Sequence, residues 1–168
     1  MISFKGRHHQ QDIILQCVRW YVAYSLSYRD LEELMQERGY AVDHSTVQRW
    51  VVHYAPPIEK VFRKTKRKTG DRWRMDETYI KIKGKWRYFY RAVDKEGKTV
   101  DFLLTVKRDK KAAKRFFKRR TKPMLDFKSF WSAVATLAGI ELWRMLKKGQ
   151  NKISLPAWQQ FYALTLTG

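Results

Sequence analysis

An aspartate in the middle of a strand-like segment is the first residue whose type and position suggest chemistry. Residues 73–79 read WRMDETY and alternate with a period of two, which predicts a β-strand. Alternation puts Glu77 on one face and Asp76 on the other, with Thr78, Ile80 and Ile82. A carboxylate on an apolar strand face is disfavoured, so Asp76 needs a metal ion or a cation as partner. Both interpretations stay open, because structural ion pairs resemble functional carboxylates.

A second set of polar side chains lies at the start of the third predicted helix. Its members can all form hydrogen bonds: His44, Ser45, Thr46, Gln48 and Arg49. Glutamine and arginine can do so in the bidentate manner that distinguishes adenine or guanine. Arg29 begins the preceding predicted helix, where it is placed for a phosphate. This pattern predicts contacts to DNA.

A run of cations follows Pro56-Pro57. It contains Arg63, Lys64, Lys66, Arg67 and Lys68. Prolines, then charges, then a Gly-Asp pair are typical of a connection between domains. We therefore predict a basic linker over residues 58–71 that contacts the phosphate backbone.

The composition also indicates a polyanionic partner. The 168 residues include 36 Lys and Arg against 16 Asp and Glu, a net charge of +20. Residues 1–60 carry no net charge, residues 61–125 carry +17 and residues 126–168 carry +3. Hydrophobic residues make up 44%, which excludes a disordered basic tail. The expected partner is nucleic acid, bound mainly by the middle of the chain.

Cysteine content and hydropathy narrow the class of protein further. The single cysteine, Cys17, excludes a disulfide scaffold and a zinc site built on cysteines. The longest apolar stretch, Phe130 to Leu142, is too short and too interrupted to cross a bilayer. The N-terminus lacks the features of a signal peptide. We expect a cytoplasmic protein with no membrane partner.

Two helices are predicted at the start of the chain. The first covers residues 11–24 and carries apolar side chains at helical spacing. The second begins after Ser27, where Asp30 completes a short-armed capping box. It ends at Gly39, a residue type that favours the left-handed conformation after a helix.

The third predicted helix follows a short turn. Val42 offers an apolar plug, Asp43 or Ser45 can cap the helix, and the helix should end before Pro56. Two helices joined by a Gly-containing turn are typical of a helix-turn-helix domain that binds DNA. The alternative is a three-helix domain with an ordinary polar face, used for dimerisation.

The middle of the chain predicts an antiparallel three-stranded meander. Strands are expected over residues 72–82, 86–93 and 99–106, with Lys83-Gly84-Lys85 as the first turn. A helix is expected from Lys110 to Arg120. The fold class is therefore α+β.

Seven motifs recur together in a known family: SYRDLEELMQERG, DHSTVQRWV, YAP, MDETY, KGKW, YRAVD and TVDF. As a set they are highly specific. On these motifs the chain, from about Phe4 to Arg120, resembles bacterial insertion-sequence transposases of the IS6 (IS26-like) family.

The resemblance implies a fold and a chemistry. Family members have a helix-turn-helix domain followed by a ribonuclease-H-like (DDE integrase) catalytic domain. Three acidic residues hold two divalent metals, Mg²⁺ or Mn²⁺, for strand transfer on double-stranded DNA at the terminal inverted repeats. Asp76, in the MDET motif, matches the first acid and is the catalytic and metal-binding residue that the resemblance assigns. A bacterial, nucleoid-associated location is also implied.

The second and third acids of the family set have no counterpart in the sequence. After Glu77 the only acids are Asp94, Glu96, Asp101, Asp109, Asp126 and Glu141. None matches, and the sequence after Pro123 resembles the family's last helix. We therefore expect an internal segment to be missing after about residue 120, and Mg²⁺ not to be bound stably.

These observations predict a domain layout. We expect a helix-turn-helix domain at 1–57, the basic linker at 58–71, an incomplete catalytic domain at 72–147 and an unassigned tail at 148–168. The last helix can still dock on the meander, although its original neighbours are missing, and it carries six apolar side chains on one face: Phe127, Trp131, Val134, Ala138, Leu142 and Met145. The aromatic residues of the tail are expected to be exposed.

Three functions remain possible on the sequence. The first is a transposase by descent that binds DNA and is catalytically defective. The second is a non-catalytic DNA-binding module that inhibits an intact transposase, by competition or as a heteromer; a homodimer is also possible. The third, ranked last, is a basic RNA-binding protein that uses the aromatic meander for stacking.

Overall fold

The computed structural model describes residues 2–4, 8–70, 72–109, 113 and 128–166, with the side chains of 128 and 129 left aside. Within these residues the chain is α+β, with five helices and three strands. It divides into two compact units. We call Met1–Lys66 with Ala135–Gly168 the helical unit, and Arg67–Val134 the sheet unit. None of the described helices is both long and apolar enough to cross a membrane.

The first two helices form as the sequence predicts. Helix α1 covers Gln11–Ala23 and α2 covers Tyr28–Gln36. The Ser27 hydroxyl accepts the Asp30 N–H at 3.1 Å, and the Asp30 carboxylate accepts the Ser27 N–H at 2.7 Å. This reciprocal capping box satisfies two N–H groups at the start of α2. Gly39 follows the helix with φ of 78°, a conformation that glycine adopts without strain.

Helix α3 covers His44–Thr65 and corrects the prediction that it ends before Pro56. Residues 58–65, predicted as linker, are part of this helix. A proline pair inside a helix removes backbone hydrogen bonds and costs roughly 3 kcal/mol or more per proline. The apolar stripe nevertheless continues across the pair and is fully buried at Val47, Val51, Tyr54, Ile58 and Phe62. Burial of this stripe offsets the backbone cost of the two prolines. The expectation that a helix ends before a proline does not take such tertiary burial into account.

From Ala135 onward the C-terminal part of the chain packs with the N-terminal helices, an arrangement that the sequence did not predict. Helix α4 covers Lys128–Lys147 and α5 covers Ala157–Leu166. Leu142, Phe161 and Leu164 lie in one hydrophobic core with the side chains of α1, α2 and α3. An extended core of this kind buries more apolar area than three short helices alone.

The predicted face of α4 and the predicted tail are only partly as expected. Ala138, Leu142 and Met145 are buried, Trp131 is exposed, and Phe127 lies outside the described residues. In the tail, Trp158 is exposed but Phe161 is fully buried. The tail is thus an integral part of the helical core.

Gly139 marks a close approach between helices of the helical unit. A Cβ atom at this position would lie 2.6 Å from Val22 Cγ1 and 3.0 Å from Ala55 Cβ. The absence of a side chain therefore lets α4 approach α1 and α3 closely.

The three strands confirm the predicted meander. They cover Trp73–Ile82 (β1), Lys85–Asp94 (β2) and Thr99–Thr105 (β3), in the antiparallel order β1-β2-β3. The first turn has two residues and not three: Lys83 and Gly84, with φ of 46° and 75°. Positive φ at both positions suits a tight hairpin whose twist matches the strands. The predicted helix from Lys110 to Arg120 lies outside the described residues, except Ala113, which is helical and buried.

Asp94 fixes the second turn of the meander. Its carboxylate, 3% exposed, accepts backbone N–H groups from Gly70 at 3.1 Å, Glu96 at 3.0 Å and Lys98 at 2.8 Å. Burial alone would raise the pKa of Asp94. The three N–H groups and the nearby Lys98 ammonium together lower it by more, so the net pKa is below its ordinary value. A buried carboxylate satisfied in this way is structural.

Candidate functional site

Asp43 organises the start of α3. Its Oδ1 accepts the backbone N–H of Ser45 at 2.8 Å and of Thr46 at 3.3 Å, and also the Ser45 hydroxyl. The hydroxyl and N–H of Ser45 hold the pKa of Asp43 below its ordinary value. The sequence allowed either Asp43 or Ser45 as the N-cap of α3. The structure shows that Asp43 is the cap and that Ser45 hydrogen-bonds to it.

His44 faces α2. Its Nδ1 lies 2.9 Å from Glu32 Oε2 and 3.4 Å from Asp43 Oδ2. In the described part of the chain, these are the only three metal-ligating side chains whose donor atoms all lie within 4.8 Å of one another. The contact with Glu32 links α2 to the start of α3, and the contact with Asp43 links the first residue of α3 to the connection between the two helices.

Three of the predicted base-reading residues line one groove. Thr46, Gln48 and Arg49 lie along a cavity of about 770 Å³. Gln48 and Arg49 are exposed, and Arg49 donates to the Thr46 hydroxyl at 2.8 Å. The groove thus presents the amide and guanidinium groups that the sequence singled out.

The same groove contains residues that the sequence analysis missed. They are His8, His9, Trp50, Val52 and His53. The His9 ring meets the Trp50 ring edge-on, with centroids 5.1 Å apart. A signal was present for His53, because positions 46, 49 and 53 follow helical spacing. No local pattern placed His8 and His9 there, since that depends on the path of the N-terminal segment.

The predicted phosphate-contacting residues are distributed along the surface. Arg29, Lys64, Arg67 and Lys68 are exposed. Arg63 forms an ion pair with Glu59, one helical turn earlier. Lys66 is half-buried and forms an isolated β-bridge with Asn151.

Asp76 lies directly opposite Arg91 in the β1–β2 ladder. Its Oδ2 accepts a hydrogen bond from Arg91 Nη2 at 2.9 Å, and the Asp76 side chain is 39% exposed. On the other face Glu77 accepts from Arg108 at 2.9 Å and from the Tyr90 hydroxyl at 3.4 Å. Burial and then the Glu77 charge raise the pKa of Tyr90, and the hydrogen bond to Glu77 raises that of Arg108.

A divalent metal at Asp76 does not fit the side chains that surround it among the described residues. The guanidinium of Arg91 occupies a carboxylate oxygen, and Asp76 belongs to no described group of three metal ligands. A metal pair needs several oxygen ligands. The arrangement is that of an ion pair. The catalytic role of Asp76 stays a prediction.

Comparison with known families gives a direct match in the sheet unit. Residues 70–124 match a family described as DDE_Tnp_IS240, a DDE domain. No solved structure matches the chain.

Individual relatives extend the similarity into the helical unit. The chain is 49% identical over 122 residues to the transposase for the insertion sequence-like element IS431mec of Staphylococcus aureus (strain Mu50). It is 48% identical over 122 residues to the transposase for IS257 in transposon Tn4003, also of Staphylococcus aureus. Each alignment covers 73% of this chain and 54% of the relative. The uncharacterized protein pYV0051 of Yersinia pseudotuberculosis is 51% identical over 47 residues, 28% of this chain and 44% of that protein.

The resemblance that the seven motifs indicate is confirmed by these similarities. The chain spans about half the length of the curated transposases it matches.

Proposed function

We propose that this chain, a relative of the IS6-type insertion-sequence transposases, binds double-stranded DNA at the terminal inverted repeats of an element. Helices α2 and α3 act as the helix-turn-helix pair, with the start of α3 in the major groove. The observation that carries this proposal is the groove beside α3, which presents Gln48 and Arg49 at its exposed edge.

The polar side chains of α3 divide into two groups. His44 is held by Glu32 of α2 and by Asp43, and Ser45 is held by Asp43, so both residues position the helix. Gln48 and Arg49 can each form two hydrogen bonds to one base, which is the basis of direct readout. Thr46 hydrogen-bonds Arg49 and orients it in the absence of DNA.

Sequence-independent affinity comes from the cations outside this groove. Arg29, Arg63, Lys64, Lys66, Arg67 and Lys68 are proposed to contact phosphates. Each phosphate contact releases counterions, so binding should weaken as salt rises. Neutralising the exposed Lys64 should lower affinity for all duplexes by a similar factor.

We further propose that the chain does not perform strand transfer alone. Its catalytic domain is an incomplete ribonuclease-H-like domain whose internal segment is missing after about residue 120. Asp76 matches the first acid of the set, yet it is paired with Arg91, and one carboxylate does not hold two Mg²⁺ or Mn²⁺ ions.

Binding is tested by fluorescence anisotropy with a duplex that carries the element end and a shuffled duplex. Arg49→Ala and Gln48→Ala should each weaken binding to the end duplex by roughly 5- to 150-fold, the effect of one lost bidentate contact. Gln36→Ala, an exposed glutamine of α2, is the matched control and should change little. Equal affinity for both duplexes, unchanged in all variants, contradicts the proposal.

Catalysis is tested by a strand-transfer assay on the same end duplex with Mg²⁺ or Mn²⁺. The full chain should give no product. Product that disappears with Asp76→Asn would show an active enzyme and overturn the second part of the proposal.

A second candidate function is inhibition of an intact transposase. The aligned region covers about half of the relatives, so this chain can occupy the same repeats without completing the reaction. Added to an intact relative, it should lower strand transfer, and Arg49→Ala should relieve the inhibition if competition for DNA causes it. Inhibition that persists with Arg49→Ala would instead indicate a heteromer.

A further inference from the structure

Two large aromatic side chains are exposed near the tip of the β1–β2 hairpin. Tyr79 is 48% exposed and Trp86 is 57% exposed. The small core of the sheet unit lies further along the strands, at Tyr90 and Ala92, which are fully buried. Trp86 therefore contributes little to that core, and its exposure needs another explanation.

The ladder register puts both rings on one face of the sheet. Tyr79 pairs with Tyr88, and Lys81 pairs with Trp86. Tyr79 and Trp86 are thus diagonal neighbours across the two strands, a spacing that aromatic side chains can span. Tyr88 supports Tyr79 edge-on, with ring centroids 5.5 Å apart.

Cations flank each ring. The Lys81 ammonium lies 5.8 Å from the centroid of Trp86, and the Arg108 guanidinium lies 5.8 Å from that of Tyr79. Glu77 holds Arg108 in place through contacts of 2.9 and 3.5 Å. Residues 78–93 contain five Lys and Arg and no acid. The hairpin tip is therefore aromatic and has a net positive charge, and the acid beside Tyr79, Glu77, is paired with Arg108.

This chemistry selects among partners. A protein interface is enriched in aromatic residues but depleted in lysine. Here Lys81 lies over the Trp86 ring, and exposed lysines at 83 and 85 lie at the tip of the same hairpin. Duplex DNA keeps its base faces stacked inside, so exposed rings can stack on them only after base steps are separated. Unpaired nucleotides offer base faces to the rings and phosphates to the lysines.

We propose that the hairpin tip, through Trp86 and Tyr79 with Lys81, Lys83 and Lys85, binds single-stranded DNA by stacking unpaired bases. The stacking itself is independent of α3. The choice of DNA over RNA rests on the proposed function, since that function brings DNA to the chain.

The test uses the full chain and a fluorescently labelled oligothymidylate in an anisotropy titration. Trp86→Ala and Tyr79→Ala should each weaken binding by roughly 5- to 150-fold, the effect of losing one stacked base. Trp158→Ala, which removes a 50% exposed tryptophan from α5, is the matched control and should leave binding unchanged. Replacing Lys83 with Gln should lower the salt dependence of binding without abolishing it.

Three results would overturn the inference. The first is equal affinity of Trp86→Ala and Trp158→Ala for the oligothymidylate. The second is that the wild-type chain binds the oligothymidylate no better than a blunt duplex of shuffled sequence. The third is that it binds an oligouridylate more tightly than the oligothymidylate. A circular dichroism spectrum of each variant confirms that it is folded, and Trp86→Phe, which keeps an aromatic face, should retain part of the binding. Arg49→Ala separates the two proposals, because it should weaken only the end duplex. If that loss occurs while Trp86→Ala has no effect, the proposed function stands and this inference fails.

Discussion

The helical unit and the sheet unit use their polar side chains differently. In the helical unit, caps and ion pairs fix the polar residues at the start of α3, and residues 1–60 carry no net charge. In the sheet unit, the hairpin carries an excess of cations and only a small described core, built around Tyr90, Ala92 and Ala113. Fixed geometry suits selective contacts, whereas a field of cations suits affinity without selection.

The two units also differ in how their cores are assembled. Side chains from both ends of the sequence fill the helical core, including Leu142 and Phe161 from the C-terminal part. The described sheet core comes from neighbouring strands of one meander and from Ala113, which follows them in the sequence. A perturbation in the C-terminal part should therefore destabilise the packing of α1, α2 and α3, although that part is distant from these helices in sequence.

The largest expected effect is in this shared core. Leu142→Ala removes a fully buried side chain and should lower the free energy of unfolding by about 2–5 kcal/mol. Ile140→Ala, at a neighbouring position that is 39% exposed, should cost much less. Urea unfolding followed by circular dichroism measures both, and equal losses would contradict a shared core.

Overpacking at Gly139 is the next test. Gly139→Ala places a methyl group 2.6 Å from Val22 Cγ1, so either the Val22 side chain or the helices must shift. We expect a loss of about 1–3 kcal/mol in thermal unfolding. Stabilisation, as glycine-to-alanine substitution normally gives inside a helix, would mean that α4 does not lie against α1 and α3.

Acid stability should distinguish the sheet unit. The pKa of Asp94 is lowered in the folded state, so its contribution is present above the unfolded value and is lost as pH falls through the folded value. Asp94→Asn should cost about 1–2 kcal/mol at neutral pH and flatten this loss. Hydrogen exchange of β2 and β3 amides between pH 3 and 6, corrected for the intrinsic rate, measures the loss of stability with acid. If Asp94→Asn leaves this pH dependence unchanged, Asp94 is not the group responsible for it.

The smallest effect is expected at Asp76. Because its ion pair with Arg91 is partly exposed, a double-mutant cycle with Asp76→Asn and Arg91→Gln should give a coupling of about 0.2–1 kcal/mol. Addition of Mg²⁺ should not change the unfolding temperature of the wild-type chain more than that of Asp76→Asn. A Mg²⁺-dependent stabilisation specific to Asp76 would restore the metal interpretation.

Local signals in the sequence predicted much of the fold. The Ser27–Asp30 capping box, the turn at Gly39 and the three strands depend on residues close together in the chain, and the structure has all of them. Which residue lies opposite Asp76 could not be predicted, because it depends on whether the first turn has two or three residues. A two-residue turn at Lys83-Gly84 puts Arg91 opposite Asp76, whereas a three-residue turn would shift the register and move Arg91 away.

Tertiary burial explains what local reasoning missed. The helix continues through Pro56 because its apolar stripe is buried on both sides of the proline pair. The tail joins the helical core because Phe161 and Leu164 find apolar partners far away in sequence. The placement of His8 and His9 beside Arg49 likewise follows from the path of the chain and not from a motif.

Amide hydrogen exchange of the full chain, with each of two oligonucleotides bound, tests the contrast between the units most directly. The end duplex should slow exchange in peptides that contain residues 44–53, and the oligothymidylate should slow it in peptides that contain residues 79–88. Protection of the same peptides by both oligonucleotides, or protection of residues 79–88 by the duplex alone, would contradict this account.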